Sequence, residues 1–322
     1  MRAIVQTKYG SADELELREV ETPSPAANQV LVKVQAVAIN DYDWCMVSGK
    51  PLVYRLMFGL FKPKTPTPGM EIAGEVVECG VNVKKFKVGD AVFGDLSECG
   101  FGGFAEYVSA DENALFLKPS QMKYEDAAAI SHAACLALQG LVDVGNLACG
   151  EKVLINGAGG GVGAFGLNIV KLYDAHVTAV DAAHKLAMLK QNGFDEALDY
   201  QRIDFTRQSA RYDLILDTKT NRGIFRYLKV LAPNGRYVTV GGSVMRLIQL
   251  LLLKPWIALF TDKRVSIVAL KTNKDLATIC EWYLAKKLVP VLELREGLSA
   301  VPQAISYFGA GKHKGKLVVR LK

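Results

Sequence analysis

A chain of 322 residues exceeds one typical domain, so two domains with a ligand-binding cleft between them are the first expectation. With 50% of residues hydrophobic and 22% charged, the composition excludes a disordered chain and suits a packed α/β protein. The net charge of +6 is scattered, with short clusters only at 84–87 and 312–322, so nucleic acid is not an expected partner and the excess favours anionic ligands.

In chain order, the first part reads as strands over 3–6, 29–38, 72–79 and 91–93, rich in Val and Ile and bounded by Gly, Pro or Asn-Asp turns. The opening residues carry only a short apolar run, and no secretory signal is read from them. The six cysteines (Cys45, Cys79, Cys99, Cys135, Cys149, Cys280) are dispersed without a C-x-x-C pair. That spacing suits reduced thiols of a cytoplasmic protein and argues against a disulfide framework or a thiolate zinc site. The apolar stretch 52–61 is too short to span a membrane and reads as a lid or wall over an apolar site, with a peripheral membrane contact as the weaker alternative.

Near Pro119 the rhythm changes to a helical run over 124–141, and from Glu151 strands alternate with helices. Strands are expected at EKVLIN, AHVTAV, EALDY, DLILD and GRYVTVGG, with helices to about 173, over 182–192 and over 225–231. This alternation predicts a parallel, doubly wound sheet with right-handed crossovers. Residues 244–260 are apolar but interrupted by Arg246, Lys254 and Pro255, which places them as a lid or wall over an apolar site, with a peripheral membrane contact as the weaker alternative. A strand in VSIVAL, a helix over 275–286 and the closing strand LVVRL are expected to return to the first domain.

The informative turn is INGAGGGVG, residues 155–163, between a buried strand and a helix. Glycines there let the backbone turn tightly and approach a pyrophosphate, which would rest on the amides and positive end of the helix. The register Gly157, Gly160, Gly163 fits the strand end better than a strict G-x-G-x-x-G, and Gly161 and Val162 complete the loop. The next strand ends in Asp181, placed to accept hydrogen bonds from an adenosine ribose, although the same residue would also serve as a helix N-cap.

The ordered motifs AVAINDYDW (36–44), PGMEIAGEVVECG (68–80), KVGDAVFG (87–94), GFGGFAEYV (100–108), LINGAGGGVG (154–163) and KHKGKLVVRL (312–321) resemble the medium-chain dehydrogenase/reductase superfamily, specifically its zinc-independent quinone oxidoreductase branch. The resemblance implies a Rossmann dinucleotide-binding domain over 122–265 and a β-rich, GroES-like catalytic domain from 1–121 plus 266–322. Where zinc alcohol dehydrogenases carry a cysteine and a histidine ligand, this chain has Asn40 and Met70, and the four-cysteine zinc lobe is absent, so no metal ligand is assigned.

Without zinc to polarise a carbonyl, the expected acceptor is already electrophilic, a quinone or an enone, reduced by NAD(P)H. By resemblance Asn40, Tyr42 and Asp43 lie where the substrate meets the nicotinamide, with Tyr42 or a water as proton donor; Asn40-Asp41 is also a good turn, and Asp43 a binder of backbone amides. Gly241 and Gly242 are expected at the nicotinamide end. Lys185 and Tyr200 match positions that hold the 2′-phosphate of NADPH in relatives, while Asp181 suits NADH, so dual use with a modest lean to NADH is expected. A homodimer is implied by resemblance alone. The rival readings are an enoyl-thioester reductase and a non-catalytic NAD(P)H-binding sensor.

Overall fold

The computed structural model describes residues 1–209 and 211–321; Lys322, the end of the basic tail noted in the sequence, lies outside them. The chain divides into two compact units, one of Met1–His132, Thr272–Leu284 and Leu292–Lys322, the other of Ala133–Lys271 and Ala285–Val291. This differs from the division expected at 121/122 and 265/266, with residues 122–132 joining the first unit and 266–271 and 285–291 the second.

The first unit holds β1 (Arg2–Val5), β2 (Glu16–Glu19), β3 (Gln29–Ala38), β4 (Glu71–Cys79), β5 (Ala91–Asp95), β6 (Tyr107–Asp111) and β7 (Phe116–Leu117), and, at the far end of the chain, β14 (Leu292–Glu296) and β15 (Lys316–Arg320). β1 and β2 pair alone; the others form one sheet in the order β14-β15-β3-β4-β5-β7, with β6 also on β3. β3 alternates only in its middle, where Val32 and Val34 are buried and Lys33 and Gln35 turn outward; Val30, Leu31 and the residues from Ala36 to Ala38 are all buried. The core of Val32, Val37, Ile72, Val92, Phe104, Leu317 and Val319 lies under this sheet. The short strands β2, β6, β7 and β14 went unread in the sequence; β2 and β14 bury no residue fully and so show no alternation.

The first unit also carries α1 (Asp41–Ser48), α2 (Arg55–Phe58), α3 (Tyr124–Ile130), α9 (Leu276–Leu284) and α10 (Val301–Gly309); the second carries α4 (Ala133–Leu138), α5 (Gly161–Lys171), α6 (Leu186–Gln191), α7 (Ile224–Val230) and α8 (Val244–Phe260). The helical run expected over 124–141 is therefore divided after Ile130. The cause is tertiary, because the His132 N–H and the Ser131 hydroxyl both donate to Glu71 Oε1 of β4.

In the second unit β8 (Lys152–Asn156), β9 (His176–Asp181), β10 (Glu196–Asp199), β11 (Tyr212–Asp217), β12 (Leu231–Thr239) and β13 (Arg264–Ile267) form a parallel sheet in the order β10-β9-β8-β11-β12-β13. This is the doubly wound order, and it reverses between β8 and β11, where ligands bind outside the carboxyl ends of the strands. β8, β9 and β11 are nearly all buried, as a strand covered by helices on both faces must be. Pro255 does not interrupt α8, which runs through it for 17 residues at the cost of one backbone hydrogen bond. No single helix among the described residues is long and apolar enough to cross a membrane.

Candidate functional site

Within the second unit the glycine turn sits at the switch point. β8 ends at Asn156, and Gly157 follows with φ +88°, a left-handed conformation that favours glycine. A Cβ there would lie 2.1 Å from Thr218 Oγ1, and one on Gly163 would lie 2.4 Å from the Ala158 backbone, so both positions require glycine sterically. Gly160 precedes α5 and offers no capping side chain, which leaves the N–H groups of Gly161, Val162 and Gly163 in the first turn for an outside acceptor. Gly160, Gly161 and Val162 are half-buried, on the accessible part of the loop. These donors and this cradle fit a dinucleotide pyrophosphate.

Asp181, at the end of β9, is buried and turned onto the loop. Its Oδ2 accepts the Gly159 N–H at 2.7 Å and its Oδ1 the Ala182 N–H at 2.8 Å. Lys185 is buried as well, with its Nζ 3.7 Å from Asp181 Oδ1 and its stem against Gly159. Gly159, Asp181 and Lys185 thus form one cluster, which shows that the acid is also a clamp on the loop. Tyr200 is half exposed and joins the cluster through its backbone, donating its N–H to Asp181 O at 3.2 Å.

On the other side of the switch point, Gly241 and Gly242 follow the end of β12 with φ +157° and +105°. A Cβ on Gly242 would meet Thr220 Oγ1 at 2.2 Å, so this turn closes against the loop after β11. That loop is held by Asp217, a fully buried residue whose Oδ1 accepts the N–H groups of Lys219 and Thr220 at 2.9 Å and the Asn156 amide at 2.8 Å. Asp217 was not singled out in the sequence, where DLILD reads only as a strand.

The first unit brings Asn40 and Asp43 together at the start of α1. Asp43 Oδ2 accepts the Asn40 N–H at 2.9 Å, so the carboxylate does bind a backbone amide. Its Oδ1 is buried without a partner. Burial pushes the Asp43 carboxyl from 3.8 up to about 7; the Asn40 N–H and the Lys316 ammonium oppose the rise, while Glu71 and Asp95 add to it. The Asn40 amide donates to Glu71 Oε2 at 2.6 Å and accepts from Lys316, which is also paired with Glu71.

Glu71, Ser131, His132 and Asp95 extend this buried network. His132 Nδ1 lies 2.7 Å from Asp95 Oδ2. Burial opposes a charge on His132, but the hydrogen bond and charge of Asp95 outweigh it and hold the imidazole above its ordinary value. The same pairing outweighs burial at Asp95 and holds its carboxyl low. None of Glu71, Lys316 or Asp95 was picked out in the sequence, although the first two stand inside the quoted motifs PGMEIAGEV and KHKGKLVV. Two residues 245 positions apart cannot be read as a pair from one chain.

Tyr42 is half-buried and meets Tyr54, Phe58 and His132 edge-on at ring separations of 6.1, 6.1 and 6.2 Å. Phe58 also meets Phe101 at 5.8 Å, so Tyr42 stands in an aromatic cluster. Burial, with smaller contributions from Asp95 and Cys45, raises its phenol, which stays protonated at neutral pH. Met70 is wholly buried in the core. Among the described residues no group of three or more His, Cys, Asp or Glu is placed to hold a metal ion.

The sequence model of the alcohol dehydrogenase GroES-like domain matches residues 26–120, and that described as zinc-binding dehydrogenase matches 192–319. The chloroplastic quinone-oxidoreductase homolog of Spinacia oleracea is 31% identical, covering 99% of this chain and 98% of its own. The 2-methylene-furan-3-one reductase of Solanum lycopersicum is 30% identical over 99% of this chain and 79% of its own. The quinone oxidoreductase structure from Coxiella burnetii superposes with a TM-score of 0.88 at 25% identity, covering 100% of this chain and 99% of that one. With the glycine loop, the doubly wound sheet and full-length relatives in agreement, the chain belongs to the quinone oxidoreductase branch of the medium-chain dehydrogenase/reductase superfamily and is a nicotinamide-dependent oxidoreductase.

Proposed function

We propose that the protein reduces quinones, enones and similar activated acceptors without zinc, using either NADH or NADPH. The observation that carries this reading is the pairing of Asn40 with Lys316 and Glu71. At the position where zinc dehydrogenases carry a ligand, the side chain is committed to hydrogen bonds with a buried ammonium and its carboxylate. A divalent cation added there would meet the like charge of Lys316 and would need ligands that Asn40 and Met70 do not supply. Without a Lewis acid, the acceptor must be electrophilic on its own.

The cofactor supplies hydride when bound. Gly160, Gly161, Val162 and Gly163 would hold its pyrophosphate, with Gly157 giving the turn; Asp181, Lys185 and Tyr200 would stand at the adenosine end and Gly241 and Gly242 at the nicotinamide end. The lean to NADH is weakened by the observed cluster. The carboxylate expected to repel a 2′-phosphate accepts two backbone N–H groups and faces the Lys185 ammonium, which offsets part of that repulsion. In the first unit, Asn40 and Asp43 shape the start of α1, Tyr42 offers a protonated phenol to the reduced acceptor, and Tyr54, Phe58 and Phe101 favour flat, conjugated molecules.

All six cysteines are free thiols, which supports a reducing compartment, and we infer the cytoplasm. The branch resemblance supports a homodimer, measurable by light scattering. The deciding experiment mixes the purified protein with NADH or NADPH and a panel of quinones, enones, enoyl thioesters and simple alcohols, following nicotinamide absorbance. Quinones or enones should be reduced and alcohols left untouched. Exclusive turnover of enoyl thioesters, or cofactor binding with no turnover at all, would overturn the reading.

A further inference from the structure

Helix α8 presents an apolar face to solvent. Its inward stripe is narrow, with Leu250 and Ile257 packed into a core that includes Tyr227, Tyr237 and Val265. The opposite face carries Met245, Ile248, Leu252, Trp256, Leu259 and Phe260, exposed by 73, 46, 69, 60, 72 and 73%. Their spacing of three and four residues makes one continuous stripe. The rings of Trp256 and Phe260 lie parallel, 6.0 Å apart, and a groove of about 450 Å³ runs beside Met245, Ile248 and Leu252. A stripe this wide normally faces a core; turned outward, it marks a surface for something apolar.

Charge identifies the occupant. Residues 218–261 contain seven Lys or Arg and no Asp or Glu. Of these, Arg222 and Arg226 pair with Asp204 and Arg236 with Glu151, while Lys219, Lys229, Arg246 and Lys254 are exposed. A second copy meeting this face about a two-fold axis would set Arg246 and Lys254 against the same cations of its partner, with no Asp or Glu on the helix itself to relieve them. A bilayer rich in anionic headgroups accepts both features. The apolar side chains enter the acyl boundary, Trp256 suits the interface, and the long basic side chains reach the headgroups. The first unit repeats the composition independently. Residues 44–70 contain no Asp or Glu and expose Leu52, Leu56, Met57, Leu60 and Phe61 beside Lys50, Lys62 and Lys64.

We propose that this protein docks reversibly on anionic bilayers, with α8 lying in the headgroup region. The inference stands apart from the choice of acceptor.

The test sediments the full-length protein with vesicles of phosphatidylcholine alone or mixed with phosphatidylglycerol. Partitioning should be more than about 10-fold stronger on the mixed vesicles, fall with added salt, and shift tryptophan fluorescence to the blue. Leu252→Asp should abolish sedimentation while turnover of a water-soluble quinone is unchanged. Should that variant melt early, Phe260→Ser at the exposed helix end replaces it. The proposal is overturned by no sedimentation on mixed vesicles, by equal sedimentation on both kinds, by binding that neither variant weakens, or by a dimer that Leu252→Asp dissociates.

Discussion

The carboxylate of Asp181 accepts the backbone N–H of Gly159 at 2.7 Å, so the acid at the end of β9 and the glycine loop are one mechanical unit. Asp181→Ser removes that clamp along with the charge. The variant should therefore bind both NADH and NADPH more weakly, whereas Asp181→Asn, which keeps an oxygen for Gly159, should retain the loop and improve NADPH relative to NADH. Dissociation constants for both cofactors check this. If Asp181→Ser improves NADPH binding without loss for NADH, the clamp is unimportant.

Gly160 and Gly163 should fail in different ways. Gly160 is half-buried with φ −97°, which any residue adopts, so Gly160→Val should fold and lose dinucleotide binding by filling the approach to the loop. Gly163→Ala would place its Cβ 2.4 Å from the Ala158 backbone and should lower stability by about 1–3 kcal/mol. Thermal melting with and without cofactor separates the two. A folded Gly160→Val with unchanged affinity would show that the loop is misassigned.

Lys316 and Glu71 are a buried ion pair at 4 and 0% side-chain exposure. Lys316→Met alone should cost about 3–5 kcal/mol by leaving Glu71 charged and unpaired, and adding Glu71→Gln should recover part of that loss. Denaturant titration of the two variants measures the recovery. The same ammonium disfavours a metal, so chelators should leave activity intact, and one tightly bound zinc per chain in metal analysis would sink the zinc-independent reading.

Asp43 gives a pH dependence with a definite sign. Its carboxyl lies near 3.8 when unfolded and about 7 when folded, so the folded state holds the proton more tightly and this group's share of stability falls as pH rises from about 4 to about 7. Asp43→Asn removes the charge and should stabilise the protein relative to wild type by an amount that grows through that window and levels off above it. Melting temperatures across the range test this; a gain that is the same at pH 4 and pH 8 contradicts it.

Tyr42→Phe keeps the ring contacts with Tyr54 and Phe58 and removes only the hydroxyl. Where Tyr42 supplies the proton, kcat should drop on the order of 100-fold with cofactor affinity unchanged. An unaltered kcat would assign the proton to water.

The sequence by itself determined the doubly wound domain and its glycine loop, because strand, turn, helix and strand are contiguous and each carries a local signal: a buried apolar run, a glycine-rich turn, an open helix N-terminus. It did not show α1, because Asn40-Asp41 reads as a turn and only the fold reveals a helix start with the Asn40 N–H on Asp43. It did not determine what Asp181 touches, since a strand-end acid reads alike whether it faces a ribose or an amide. Nor did it show the division of the helical run at Ser131, which depends on Glu71 arriving from another strand. Lys316 meets Asn40 only because β15 pairs with β3, a contact between opposite ends of the chain. The outward face of α8 was equally hidden, because an apolar stripe has the same spacing whether it faces a core or solvent; only the fold, by burying Leu250 and Ile257, decided which side was left uncovered.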